Sequence, residues 1–172
     1  MNQWLCGLAM LGLLGGSASA QELKPIVAEG DINAPIDAVW SAWATTAGLQ
    51  AWLAPHVEIE MRVGGLMRTN YRAAGALGDG NTIENRVLAF EPGRMLSIQV
   101  AKAPANFPFP NAIYKMWTVM YFEPAPSNRT HVRVVGLGFS ADEESQKMRA
   151  FFERGNAETI DSLRQHFERT SR

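Results

Sequence analysis

SADEESQKMRAFFERGNAETIDSLRQHFER, residues 140–169, is the stretch around which the rest of the chain is organised. Its opening Ser140-Ala141-Asp142-Glu143 has the Ser-x-x-Glu spacing in which hydroxyl and carboxylate satisfy backbone donors at a helix start. Asp142, Glu143 and Glu144 load the first turn with acid, and Arg164, His166 and Arg169 place bases near the end, as the helix dipole prefers. Met148, Phe152, Ile160, Leu163 and Phe167 recur at spacings that put them on one apolar face. At 1.5 Å per residue such a helix is roughly 40 Å long. It needs a sheet to lie on. Two residues on or beside that face break the pattern. Gly155 costs about 1 kcal/mol against alanine in a helix interior, and Asn156 is an amide midway between Phe152 and Ile160. Either the helix approaches the sheet closely at Gly155 with the amide satisfied by protein, or it covers a cavity into which Asn156 points.

Upstream, the chain reads mainly as strands. Pro25 to Ile32 is extended and β-branched, and Asn33-Ala34-Pro35 then supplies a cap and a first-turn proline. Val39, Trp40 and Trp43 mark one short helix; Leu49, Trp52 and Leu53 mark a second, stopped near Pro55. Three tryptophans so close together read as core anchors. From His56 the hydrophobic period becomes two. His56 to Met61, Leu66 to Arg72, Thr82 to Phe90, Met95 to Val100, Lys115 to Phe122 and Thr130 to Gly138 are the expected strands. Glycine-rich AAGALGDGN (73–81) reads as a hairpin connection without the signature of a phosphate loop. APANFPFPN (103–111) has three prolines and two phenylalanines, a loop whose apolar content must pack over something. Successive strands with short turns predict an antiparallel meander with one buried face. The fold class is therefore α+β: about six or seven strands curved around a long C-terminal helix, with two short helices after the first strand.

The chain has 172 residues, 47% hydrophobic and 19% charged, enough for one domain with a sizeable core. Net charge is −1 with the bases scattered, which argues against nucleic acid as a partner. Residues 1–20 read as a signal peptide: an apolar run from Leu5 to Leu14, then Ala18-Ser19-Ala20 before Gln21. Cleavage after Ala20 would send residues 21–172 to the periplasm or outside the cell, and would remove Cys6, the one cysteine. Thiol chemistry is then excluded.

Several motifs, in order, resemble one family. Ile32-Asn33-Ala34-Pro35-Ile36-Asp37-Ala38-Val39-Trp40 resembles the opening of START-like (SRPBCC) domains. The likeness is greatest to the branch of homologues of the activator of the heat-shock chaperone ATPase. Ala51-Trp52-Leu53-Ala54-Pro55, the Arg62-Val63-Gly64-Gly65 turn, Arg129-Thr130-His131-Val132 and Phe151-Phe152-Glu153-Arg154-Gly155-Asn156-Ala157 match in register. The resemblance implies a helix-grip fold with a cavity between sheet and helix, where many relatives bind apolar or amphipathic molecules and some are enzymes. Many members carry tryptophan where this chain has Asn156. The chaperone and its ATP are cytosolic, so an exported domain is not expected to act on it.

His56, His131 and His166 sit on separate elements with no ligand partners at metal spacing, so no metal and no cofactor is expected. His166 reads as a dipole-compensating surface residue. Candidate ligand-binding residues are Arg68, Asn70, Glu84, Trp117, Tyr121, Phe152, Asn156 and Ile160, with Arg86 and Tyr71 as further polar handles. If the protein is an enzyme, Glu84, Tyr71 and Tyr121 are its acid or base groups. Glu84 suits that role only if buried away from Arg68 and Arg86; otherwise these side chains form an exposed charge ladder. Gly136 and Gly138 would leave room for ligand if they face the helix, with Val135 and Leu137 then offering a dimer surface. The leading expectation is binding of an apolar or amphipathic small molecule. A cyclase- or hydrolase-like enzyme and a protein-interaction module are the alternatives.

Overall fold

The computed structural model describes residues 23–170, so the signal-peptide reading and Cys6 lie outside the described residues. Ten elements follow in order: β1 (Ile26–Ile32), α1 (Ile36–Ala44), α2 (Thr46–Trp52), β2 (His56–Ile59), β3 (Leu66–Asn70), β4 (Ile83–Glu91), β5 (Met95–Lys102), β6 (Trp117–Ala125), β7 (Arg129–Leu137) and α3 (Glu143–Thr170). The strands form one antiparallel sheet in the order β1-β7-β6-β5-β4-β3-β2. It curls into a half-barrel around α3, the expected α+β helix-grip arrangement.

Strand alternation decides what the hollow of the sheet contains. Met67, Val87, Leu96, Met120, Phe122, Val132 and Val134 point inward and join Val39, Trp43 and Leu49 of the short helices, and Ile160 and Leu163 of α3, in one core. A second cluster around Ile26, Ile113, Met116, Phe139 and Met148 closes the other end. Helix α3 packs chiefly on β1. A Cβ at Gly30 would come within 2.9 Å of Ile160, so the missing side chain there lets the helix lie close. Leaning toward β1 leaves the β3–β5 half of the hollow less covered.

The cap of α3 differs from the Ser140–Glu143 box. Asp142 is the residue that caps, its Oδ1 accepting from the Ser145 amide at 2.9 Å, and Ser140 donates to Asp142 instead. The Ser145 hydroxyl accepts from the Ser140 amide at 2.9 Å. Glu143 pairs with Lys147. Glu144 takes the amides of Asn111 and Ala112 at 2.8 and 3.0 Å, tying the proline-rich loop to the helix. The reading of Pro35 as a first-turn residue and Asn33 as its cap also changes: Pro35 itself stands at the N-cap, with no side-chain bond. In α2 the cap is Thr45, whose hydroxyl accepts from Gly48 at 3.0 Å.

Candidate functional site

Between α3, the loop before β6 and the β3–β6 half of the sheet lies a cavity of about 590 Å³. Most of its wall is apolar. Trp43, Trp52 and Leu53 form one end, Met67, Ile83, Ile98 and Met120 the sheet floor, and Phe107, Ile113, Met116, Phe151 and Phe152 the other end. Phe107, Phe109 and Phe151 meet edge to face, with ring centroids 5.6–6.0 Å apart, so the loop's apolar residues do pack, against Phe151 of α3.

Gly155 and Asn156 both belong to this wall. A Cβ at Gly155 would meet nothing within 4 Å, so no close helix–sheet contact explains the glycine. Asn156 is 9% exposed, and its Nδ2 is buried with no hydrogen-bond partner among the described residues. Trp43, 4% exposed, holds a second such donor in its indole Nε1. By contrast the Trp52 indole donates to the Ala42 carbonyl at 3.0 Å, and the Thr159 hydroxyl to the Gly155 carbonyl at 2.8 Å.

The residues singled out from sequence are divided between this wall and other places. Tyr71, Trp117, Phe152 and Asn156 line the cavity. Ile160 is buried in the core against Gly30. Arg68 stands on the outer face, 2.6 Å from Glu58 and 3.9 Å from Glu84, its register neighbours on either side. The Glu58 carboxylate beside it raises the guanidinium's pKa further. This is the charge ladder, and the condition set for Glu84, burial away from its arginine, is not met. Arg86 reaches the Gly64 carbonyl at 3.2 Å. Asn70 is buried within its own hairpin connection, donating to the Ala76 carbonyl at 2.9 Å and to Asp79 at 2.8 Å. Tyr121 also faces outward, with the Arg133 guanidinium 4.9 Å above its ring.

Tyr71 shows two properties at once. It is 58% exposed, yet the protein around its phenol desolvates it enough to raise its pKa. A ring between the walls of an open cleft, with water in reach, has both. The exposure decides its behaviour, and the phenol is neutral at pH 7 in either case.

Gly136 and Gly138 do not make room for ligand. A Cβ at Gly136 would strike Ile26 at 2.7 Å, and one at Gly138 the Lys115 carbonyl at 2.3 Å, with φ +82°. The space is already filled by neighbours. Val135 lies on the outer face between its register partners Val27 and Val119. Of the histidines, His131 contacts Asp31 at 2.8 Å, His56 the Ala73 carbonyl at 3.1 Å, and His166 stacks edge-on with Phe167. Burial, and secondarily Arg169, lowers the His166 pKa, so it is neutral at pH 7 and Arg169 alone supplies the dipole-compensating charge in the last turn. No group of three or more metal-ligating side chains occurs among the described residues.

Missing from the sequence candidates were Trp43 and Trp52, expected only as anchors, and Asn85. Their signal was available in part. Met67 and Ile83 mark the inner face of their strands, and Asn85 follows Ile83 by two, whereas Arg68 and Glu84 fall on the alternate face.

A curled antiparallel sheet gripping a terminal helix, with an apolar cavity between them, defines a helix-grip protein of START-like type. The family profile described as Activator of Hsp90 ATPase homolog 1-like protein matches residues 33–168, and the chain belongs to that family. Among solved structures, protein MLL2253 from Mesorhizobium loti is similar at 21% identity and TM-score 0.65, over 86% of this chain and 98% of that one. The Aha1 dimer from Colwellia psychrerythraea is similar at 18% identity and TM-score 0.64, over 85% and 97%. DynU16, a protein of the dynemicin biosynthetic locus, is similar at 17% and TM-score 0.63, over 84% of this chain and 47% of that one. At these identities the likeness is one of fold. Comparison with curated protein sequences finds no match.

Proposed function

We propose that the protein binds an apolar or amphipathic small molecule between the sheet and α3. The observation that carries this is an apolar-walled space of about 590 Å³ with the Asn156 side chain belonging to its wall. That volume falls within the range of small-molecule sites, which combine apolar walls with a few convergent polar groups. The fold supports the reading, since this superfamily commonly binds hydrophobic ligands. The Leu-rich run before Ala18-Ser19-Ala20 adds the second half of the proposal: binding takes place outside the cytoplasm, away from the chaperone for which the family is named.

The test is uptake of N-phenylnaphthylamine, a neutral dye that fluoresces in apolar surroundings, together with native mass spectrometry of protein purified from its own host. Saturable uptake by the natural protein and its loss in Asn156→Trp, which fills the space, are expected. No uptake, or equal uptake by that variant, overturns the reading.

The homodimer reading has one observation behind it. Val27, half-exposed, Val135 and Val119 form an apolar row across β1, β7 and β6 on the outer face. A dimer through this row would be broken by Val27→Lys; a natural protein that sediments as a monomer removes the reading.

A further inference from the structure

Resting on the binding reading, we infer that the ligand enters and leaves sideways, through a slot between α3 and the end of β3, and that Gly155 is the residue that sets the width of this doorway. Exposure locates the slot. Of the residues that line the cavity, Tyr71, Phe151, Glu158 and Ser162 are exposed, and the rest are buried or half-buried. Phe151, Glu158 and Ser162 fall on one line along α3, because steps of seven and four return to the same face of a helix. That line runs roughly 16 Å at 1.5 Å per residue. Tyr71 follows the last residue of β3 and forms the opposite bank with half-buried Ile83 and Asn85 of β4. Elsewhere the wall is closed. Trp43, Trp52 and Leu53 shut one end, and at the other Phe107 sits in the ring cluster with Phe109 and Phe151, on a loop that Glu144 ties to α3.

Gly155 stands beside that line, one turn after Phe151 and one turn before Thr159, both of the cavity wall. Glycine is the poorest helix former apart from proline, and no close packing calls for it here, since a Cβ would meet nothing within 4 Å. Gly30 is the contrast: a Cβ there would strike Ile160 at 2.9 Å, and its absence lets α3 lie against β1. At Gly155 the absent side chain serves no protein neighbour and leaves the middle of the slot empty. Alanine would change little, because its methyl group still ends in open space. A leucine or phenylalanine would reach out from α3 across the gap, between Phe151 and Thr159 on its own helix. Such a side chain narrows the passage rather than the depth of the cavity at Met67 and Met120.

The experiment is stopped-flow measurement of N-phenylnaphthylamine binding and release, in the natural protein and in Gly155→Ala, Gly155→Leu and Gly155→Phe. A narrowed doorway slows passage in both directions. Gly155→Phe is therefore expected to lower the association and dissociation rates alike, about tenfold or more, with a smaller change in affinity. Gly155→Leu should fall between it and Gly155→Ala, which should match the natural protein. Ala150→Leu, at an exposed position of α3 outside the cavity wall, is the control and should leave both rates unchanged. If Gly155→Phe does not fold, Gly155→Leu carries the test. Dye that binds with unchanged rates in the folded variants overturns the doorway and leaves the binding reading standing. So does affinity lost through faster release alone, which would put the new side chain in the ligand's own space. Equal slowing in Ala150→Leu overturns it as well. Faster exchange in Glu144→Ala, with none of the slowing in Gly155→Phe, would move the passage to the proline-rich loop. Failure of the dye to bind the natural protein at all removes both readings together.

Discussion

Asn156 is a costly residue for stability alone. A buried donor without a partner carries a penalty of about 1–3 kcal/mol, and Nδ2 has no protein partner to lose. Asn156→Leu is therefore expected to keep or raise the unfolding free energy, by up to about 2 kcal/mol, as read by denaturant melts. A clear drop would show that the amide supports protein structure after all. Next to it, Gly155→Ala adds a methyl group into open space, so helix propensity alone acts and stability should rise by about 1 kcal/mol. The pH dependence follows from groups held below their ordinary pKa, Asp31, Asp79 and Glu143 among them. The Ser140 hydroxyl, then the Ser145 amide, hold the Asp142 carboxyl below its ordinary range; the amides of Ala112 and Asn111 do the same for Glu144. Burial lowers His166. A group whose pKa is lower in the folded state stabilises fully above its unfolded value and loses that contribution as pH falls through the folded one. The melting temperature should begin to fall just below about pH 6.5 through His166 and more steeply below about pH 4 through the carboxylates. His166→Gln should abolish the first step only.

Among elements, the pair of short helices is held by aromatic packing. Trp43 is buried, sits 4.8 Å from Trp52 and 6.4 Å from Phe122, while Trp40 meets Phe122 at 5.4 Å from a half-buried position. Trp43→Ala should cost about 3–5 kcal/mol through lost burial and the space left behind, and Trp40→Ala less. An unchanged thermal midpoint for Trp43→Ala would contradict this packing. The loop before β6 depends on one carboxylate instead. Glu144→Ala strands the amides of Asn111 and Ala112, so their hydrogen exchange should quicken while that of the strands stays as it was. Helix existence, strand existence and approximate bounds were legible from the chain because period and turn chemistry are local. The caps were less so: Ser140, Asp142 and Ser145 all cap well, and the path of the loop into α3 decides which of them does.

At the scale of the whole molecule, the described residues include no helix long and apolar enough to cross a membrane. The expected mature protein begins at Gln21 in the periplasmic fraction. Finding the full-length chain from Met1 in the cytosol would overturn the proposed export.

The chain by itself determined the class of fold, because a dipole-matched amphipathic helix after a series of alternating strands has few ways to bury its face. It also marked Gly155 and Asn156 as out of place, since each is unfavourable where it stands in the helix. Only the tertiary structure decided which strand face looks inward. On β4 the amide Asn85 stands on one face and the charged Glu84 and Arg86 on the other, and a shift of one position exchanges the cavity wall for the outer ladder. That is why Arg68 and Glu84 turned outward, while Trp43, far from Asn156 in sequence, came to share a wall with it. A pairing between residues more than a hundred positions apart has no local signal; it exists only once the sheet has curled.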